Sequence, residues 1–317
     1  MMRPLSRHWC RVMGPLSHHS KEQLVRVLVT GASGGIGSAV VKELLAAGHH
    51  VIGLARSEAS AATVSGLGAE PLRGDIADLD VLQKAAVDTD GVAYLAFSHD
   101  FSDVGDAIAD EARAIDALGA ALADTGKPLV LASGTPARPG SVSTEDDPFI
   151  ADGPLAGRGR TGQAVVELAG RGVRSAVVRL PRAVHDAGGR YGLAGILIQL
   201  ARQRGVSSFA GDGTQRWPAV HRDDAAALFR LALEQAPAGS VLHAVGDEGV
   251  PLRAIAEVIG RRLGVPVESA PADAFGPLGQ VFAVDQPSSS ALTQRRFGWQ
   301  PVGPGLLDDL ETGVYPE

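Results

Sequence analysis

The chain has 317 residues, a formal net charge of −7 and a single cysteine, Cys10. That length buries a sizeable core unaided, so a disulfide scaffold is excluded, as is a metal cluster held by several cysteines. The acidic balance argues against a broad nucleic-acid-binding surface, and no stretch approaches the roughly 18 uninterrupted apolar residues of a membrane span. Two other counts narrow the chemistry: three tyrosines (Tyr94, Tyr191, Tyr315), and four lysines against 25 arginines.

Residues 1–24 carry scattered basic side chains with no periodicity and no apolar run of signal-peptide length, and are expected to be a disordered extension. From residue 25 short apolar runs alternate with longer amphipathic segments, each closed by turn chemistry. Residues 25–30 read as a buried strand, followed by a glycine-rich turn and a helix over 35–47, in which Ile36, Val40 and Leu44 recur every fourth position. Strands are predicted at 50–55, 69–73, 91–97, 128–133 and 174–180, with helices at 78–87, 104–124 and 160–171. Strands spaced by helices cannot pair as hairpins, so the sheet is expected to be parallel with right-handed crossovers. After residue 181 the rhythm loosens into helices at 190–204, 223–235, 251–263 and 304–313, with one further strand at 240–245. The predicted fold is α/β, a doubly wound Rossmann-type parallel sheet over 25–181 plus the 240–245 strand. A smaller substrate lobe is expected from 182–239 and 246–317, placed over the carboxyl ends of the strands.

Thr30-Gly31-Ala32-Ser33-Gly34-Gly35-Ile36-Gly37 joins the first strand to the first helix. Gly31 suits a tight turn, Gly34 the close approach of a pyrophosphate, and Gly37 the packing of helix on strand. The helix's free N–H groups and positive end then hold phosphate. A glycine triplet alone is a weak signal; here a strand precedes it, a helix follows, and a second strand ends about 20 residues on. That second strand ends in Arg56-Ser57, with no carboxylate to accept from a free ribose 2′-hydroxyl. A guanidinium with a neighbouring hydroxyl suits a 2′-phosphate, so NADP(H) is preferred over NAD(H).

The glycine motif, followed by Arg73-Gly74-Asp75-Ile76 after the third strand, resembles the short-chain dehydrogenase/reductase superfamily, in its extended branch of NAD(P)-dependent epimerases, dehydratases and hydroxysteroid-type dehydrogenases. Residues 93–97 resemble that branch's fourth strand. Residues 129–133 resemble its fifth, ending in the active-site serine, and 144–148 its acidic loop. Val177-Val-Arg-Leu-Pro181 resembles the sixth strand with the proline that covers the nicotinamide. His221-x-x-Asp224 and residues 297–301 resemble late motifs. The resemblance implies that Ser33, Ile36, Asp75 and Ile76 belong to the cofactor site, with Ala96, Phe97, Pro181 and Val184 around ribose and nicotinamide.

Members of that superfamily usually pair a tyrosine with a lysine four residues later, because a phenol is a poor acid or base until a nearby cation favours its phenolate. Here the expected place is residues 158–167. One register puts Gly159 and Gln163 at the pair, the other Arg158 and Gly162, and no tyrosine in the chain has a lysine four positions on. The resemblance is therefore to atypical members.

Replacement groups are Ser133 and His185 as hydrogen-bonding or acid groups, and Arg158 as an oxyanion stabiliser. His99, Thr135, Trp217 and His221 are candidates for lining the substrate pocket. Several also have a plain structural reading: a loop-capping hydroxyl for Ser133 and Thr135, a structural hydrogen bond for His185, a solvated helix start for Arg158 and a scaffold role for His221. No metal site is expected. Three functions stay open: an NADP(H)-dependent reductase of a carbonyl on a small or medium hydrophobic metabolite, a redox-neutral epimerase, dehydratase or lyase, and a non-catalytic NADP(H) sensor. The expected partner is a small-molecule substrate, with no nucleic acid or membrane, in a cytoplasmic monomer or homodimer.

Overall fold

The structure is a computed structural model and describes residues 25–97, 104–138 and 140–315. The expectations for residues 1–24 and for His99 lie outside the described residues.

The first half alternates β1 (Arg26–Thr30), α1 (Gly35–Ala46), β2 (His50–Ala55), α2 (Glu58–Gly66), β3 (Glu70–Arg73), α3 (Leu79–Asp88), β4 (Gly91–Tyr94), α4 (Val104–Leu122), β5 (Pro128–Gly134), α5 (Ala156–Glu167) and β6 (Arg174–Leu180). The chain continues through β7 (Ala183–Asp186), β8 (Arg190–Tyr191), α6 (Leu193–Arg204), β9 (Ser207–Ala210), β10 (Arg216–His221), α7 (Arg222–Gln235) and β11 (Ser240–His243). It ends with β12 (Asp247–Pro251), α8 (Leu252–Leu263), β13 (Val267–Ala270), α9 (Gly279–Phe282), α10 (Ala291–Phe297) and α11 (Leu306–Thr312).

Seven strands form one parallel sheet in the order β11-β6-β5-β4-β1-β2-β3, so the predicted doubly wound fold is the observed one. The order reverses between β1 and β4, and the gap at that reversal opens at the carboxyl ends of the strands, where such sheets take ligands. Period-two alternation sends Val27 and Val29 to one face, against α1 and α7, and Leu28 to the other, against α3 and α4. In α1, Val40, Val41 and Leu44 are fully buried, each contributing about 1.5–3 kcal/mol of burial.

Two expectations shift. Strand β4 stops at Tyr94 because the next residues turn out of the sheet, and the N–H groups of Leu95 and Ala96 donate to Thr30 Oγ1 at 3.1 and 3.2 Å. Helix α7 was expected in the second lobe but lies on the large sheet. Its Ala225, Leu228, Phe229 and Ala232 share one core with α1, since this helix carries the chain from β10 back to β11. The second lobe holds a four-stranded sheet, β12-β10-β7-β8, and the pair β13-β9. These strands are short and closed by unlike turns, which is why the sequence read there mainly as helices and loops. No helix among the described residues is long and apolar enough to cross a membrane.

Candidate active site

The turn between β1 and α1 is shaped by what its glycines must leave empty. Gly31 sits at φ +68°, and a Cβ there would lie 2.9 Å from the Ala96 amide nitrogen. A Cβ on Gly37 would overlap the Gly31 carbonyl oxygen. The Gly34 N–H donates to that same oxygen at 2.9 Å and closes the turn. Gly34 then caps α1 with no side-chain acceptor, and the first turn holds no acidic residue. The helix therefore presents its first N–H groups and its positive end without a side-chain counterpart. Ser33 and Ile36 are half-buried beside this turn.

At the far end of the cleft Arg56 is exposed after β2, with no ion pair among the described residues. Strand β3 pairs Arg73 with Ala55, so a second guanidinium stands at the neighbouring strand end, where it reaches Glu58 at 3.3 Å. Ser57 has a different task from the one expected. Its hydroxyl accepts from the Ser60 N–H at 3.1 Å in a capping box that starts α2. Asp75 shapes its own turn: its N–H donates to Asp78 Oδ2 at 2.7 Å, and its Oδ1 accepts from the Ala77 N–H. Ile76 is half-buried beside it.

Beside the end of β5, Arg158 meets Phe97 and the carbonyl that precedes Ser133. Arg158, on α5, forks onto Glu111 of α4, with Nη2 2.9 Å from Oε1 and Nε 3.1 Å from Oε2. Nη2 also donates to the Ala132 carbonyl at 2.8 Å, and the guanidinium carbon lies 4.0 Å from the centre of the Phe97 ring. Ser133 is the residue after that carbonyl and is 7% exposed. Burial raises the Glu111 carboxyl above the usual range, and the Arg158 charge opposes that shift. Burial likewise raises the Tyr94 phenol, whose hydroxyl has no partner among the described residues.

The α5 face around Arg158 is made of glycine. A Cβ on Gly159 would overlap the Ile150 carbonyl oxygen, and one on Gly162 would lie 2.5 Å from the Phe149 ring. The segment after the acidic loop rests directly on the helix. The acidic loop has a structural part: Glu145 Oε1 accepts from Thr293 N and Oγ1, both at 2.6 Å.

Pro181 is buried just after β6, and Val184, in β7, is half-buried and packs on the sheet's core. His185 was expected to face the cleft. Instead its ring is fully buried, with Nδ1 2.7 Å from Asp309 Oδ2 of α11. Burial lowers its pKa below the usual histidine value, with Asp309 opposing. This places the ring in the interior of the second lobe, facing Asp309.

Trp217 is also fully buried, against Phe282, so it is core and not a pocket wall. Thr135 is 1% exposed, and its hydroxyl accepts from Gln286 Nε2 at 3.2 Å. His221 Nδ1 accepts from the Asp223 N–H at the start of α7, while Asp224 binds the N–H groups of Val302 and Gly303. The late motifs thus tie the two lobes' ends together.

Sequence reasoning missed Glu111, Arg182, Gln286 and Asp309. Only Glu111 left a signal: it falls on the stripe of Ile115, Leu118 and Leu122, a carboxylate in an apolar position. Arg182 donates from Nε to Gln286 Oε1 and from Nη1 to the Val281 carbonyl, both at 2.6 Å, and burial lowers its pKa to about 10.

Residues 27–244 match the model of the NAD-dependent epimerase/dehydratase family. The chain is 43% identical over 295 residues to an uncharacterized protein of Schizosaccharomyces pombe, covering 92% of this chain and all of that one. A protein of Saccharomyces cerevisiae, also uncharacterized, is 42% identical, over 90% of this chain and 98% of its own. The chain belongs to the NAD-dependent epimerase/dehydratase family. The 2′-dehydrokanamycin reductase of Streptomyces kanamyceticus is 29% identical, over 92% of this chain and 80% of its own. Among solved structures, the dTDP-glucose 4,6-dehydratase DesIV of Streptomyces venezuelae, with NAD and TYD bound, superposes with a TM-score of 0.74. It is 22% identical and covers 91% of this chain and 95% of that one, which shows the shared fold. Epimerase/dehydratase family members use an NAD(P) cofactor, and the uncapped start of α1 with its Cβ-free turn fits the pyrophosphate of such a group.

Proposed function

We propose that the protein is an NADP(H)-dependent reductase acting on a carbonyl of a small or medium hydrophobic metabolite, without a tyrosine as proton donor. The observation that carries this reading is the pair of strand-end guanidiniums. Arg56 is exposed and without an ion pair among the described residues, and Arg73 stands one strand away, where a ribose 2′-phosphate would be matched by charge and by the fork of the guanidinium. The relative named as a reductase supports the redox direction.

When bound, the nicotinamide supplies hydride. Arg158 keeps Nε and Nη2 on Glu111 and the Ala132 carbonyl, which among the described residues leaves Nη1 to hydrogen-bond a developing alkoxide. A guanidinium does not release a proton near neutral pH. The proton therefore comes from solvent, through the Ser133 hydroxyl. Glu111 and Phe97 fix the plane of the guanidinium, so its charge is oriented before substrate arrives.

NADPH oxidation followed across a panel of aldehydes and ketones tests this reading. Turnover is expected with at least one carbonyl class, and both Ser133→Ala and Arg158→Lys should lower kcat by about 100-fold. Tight NADPH binding with no turnover on any carbonyl would select the sensor reading instead.

A further inference from the structure

Arg190 opens β8 in the second lobe, yet its guanidinium lies on the cofactor turn of the sheet domain. A Cβ built on Gly35 would fall 2.8 Å from Arg190 Nη1 and 3.6 Å from its Cδ. Gly35 has no positive φ to explain it, because the motif's left-handed glycine is Gly31. The guanidinium thus lies directly over Gly35, at the first residue of α1.

That location is electrostatically wrong for a lone cation. The first turn of α1 carries the positive end of the helix dipole, and a guanidinium beside it is repelled. Nothing nearby compensates. Among the described residues no carboxylate pairs with Arg190, and the first turn of α1 is free of acidic residues. Asp186, opposite Arg190 across the β7–β8 ladder, is taken by Arg222 at 2.5 Å and by the Gly188 N–H at 2.8 Å. Two positive elements from two lobes thus converge with no anion among the described residues between them.

We infer that Arg190 is a cofactor-clasping residue: it reaches from the second lobe over Gly35 to the pyrophosphate of the bound dinucleotide, opposite the helix N–H groups. The anion that the α1 terminus and the guanidinium lack is the one the cofactor brings. Binding then adds a tie between β8 and the phosphate turn to the contacts that already join the two lobes. This rests on the nucleotide site of the proposed function but not on its preference for NADP(H), because the pyrophosphate is common to both cofactors.

The test is equilibrium binding of NADPH and of NADH to the full chain, by quenching of protein fluorescence, for wild type and for Arg190→Ala, Arg190→Lys and Arg56→Ala. The Arg190→Ala variant is expected to weaken both cofactors by the same factor, roughly 10- to 100-fold, the loss of a charge-assisted contact. Arg190→Lys should recover part of that loss. Arg56→Ala should weaken NADPH alone. Arg190 is exposed, so thermal unfolding of the cofactor-free protein should be unchanged by Arg190→Ala, whereas the stabilisation by saturating NADPH should shrink. Unchanged affinity for both cofactors in Arg190→Ala would overturn the assignment, as would a loss confined to NADPH or a wild type that binds neither. Equal binding of the two cofactors by wild type, with both weakened in Arg190→Ala, would overturn the NADP(H) preference and leave the clasp standing.

Discussion

Arg158 and Glu111 form a forked ion pair between α5 and α4, with the Glu111 side chain 1% exposed and its two oxygens shared between Nε and Nη2. The carboxylate has given up water for this one cation. Removing one partner strands a buried charge, while removing both does not.

Glu111→Leu and Arg158→Leu are therefore each expected to destabilise the protein, Arg158→Leu by about 3–5 kcal/mol because it strands the buried carboxylate, and the Glu111→Leu/Arg158→Leu double variant by clearly less. Urea unfolding of the single and double variants checks this. If the double variant lost as much as the sum of the two single ones, the pair would not be acting as a unit.

Cofactor choice separates two neighbours that the sequence had grouped. Arg56→Ala should cost NADPH about tenfold or more in affinity and leave NADH unchanged. Ser57→Ala should lower stability by about 1 kcal/mol, because its hydroxyl caps α2, with little change in the ratio of the two affinities. Binding isotherms and thermal melts of both variants distinguish these roles. A Ser57→Ala variant that lost NADPH selectivity at unchanged stability would reverse them.

The sheet and the cofactor turn were legible in the sequence because both are local. Val27, Leu28 and Val29 declare a strand buried on two faces, and Gly31, Gly34 and Gly37 declare a turn whose spacing follows from the turn itself. The catalytic end was less legible, because its side chains are placed by partners far along the chain. His185 looked like a cleft acid from its place after β6. Its position is set by Asp309, 124 residues later, which holds it inside the second lobe. Trp217 and Thr135 failed the same way, the first drawn into the core by Phe282 and the second held by Gln286. Arg190 gave no local sign of a role, since the glycine it covers lies 155 residues earlier.

The glycine face of α5 makes a steric prediction. Gly159→Ala places a methyl into the Ile150 carbonyl oxygen, and backbone on both sides leaves little room to relax. A loss of about 1–3 kcal/mol or more is expected. Gly170→Ala, with nothing within 4 Å of the added Cβ, serves as the control and should be near neutral. Comparable melting temperatures for the two variants would sink this account of why residues 149–150 rest on the helix.

The pH dependence of stability should carry the mark of His243. Its ring is fully buried at the end of β11, with Nδ1 donating to the Ser289 carbonyl at 2.9 Å and Nε2 3.4 Å from Arg179 Nη1. Burial pushes its pKa down to about 3, and the Arg179 charge acts in the same direction, while Asp147 opposes. In the unfolded chain an ordinary histidine titrates near 6.5. Above that value both states are neutral and the residue contributes no slope. Below it the unfolded chain takes up a proton that the folded chain refuses, so stability falls with pH by about 1.4 kcal/mol per unit until the folded pKa is reached. His185 acts with the same sign, tempered by Asp309. Urea unfolding of wild type and His243→Asn at pH 7.5, 6.5 and 5.5 should show the variant losing less stability over the last unit, by about 1 kcal/mol. Carboxylates contribute equally to both proteins in that range, so the difference reports the histidine alone. Parallel stability curves for the two proteins would mean that His243 is protonated within the fold.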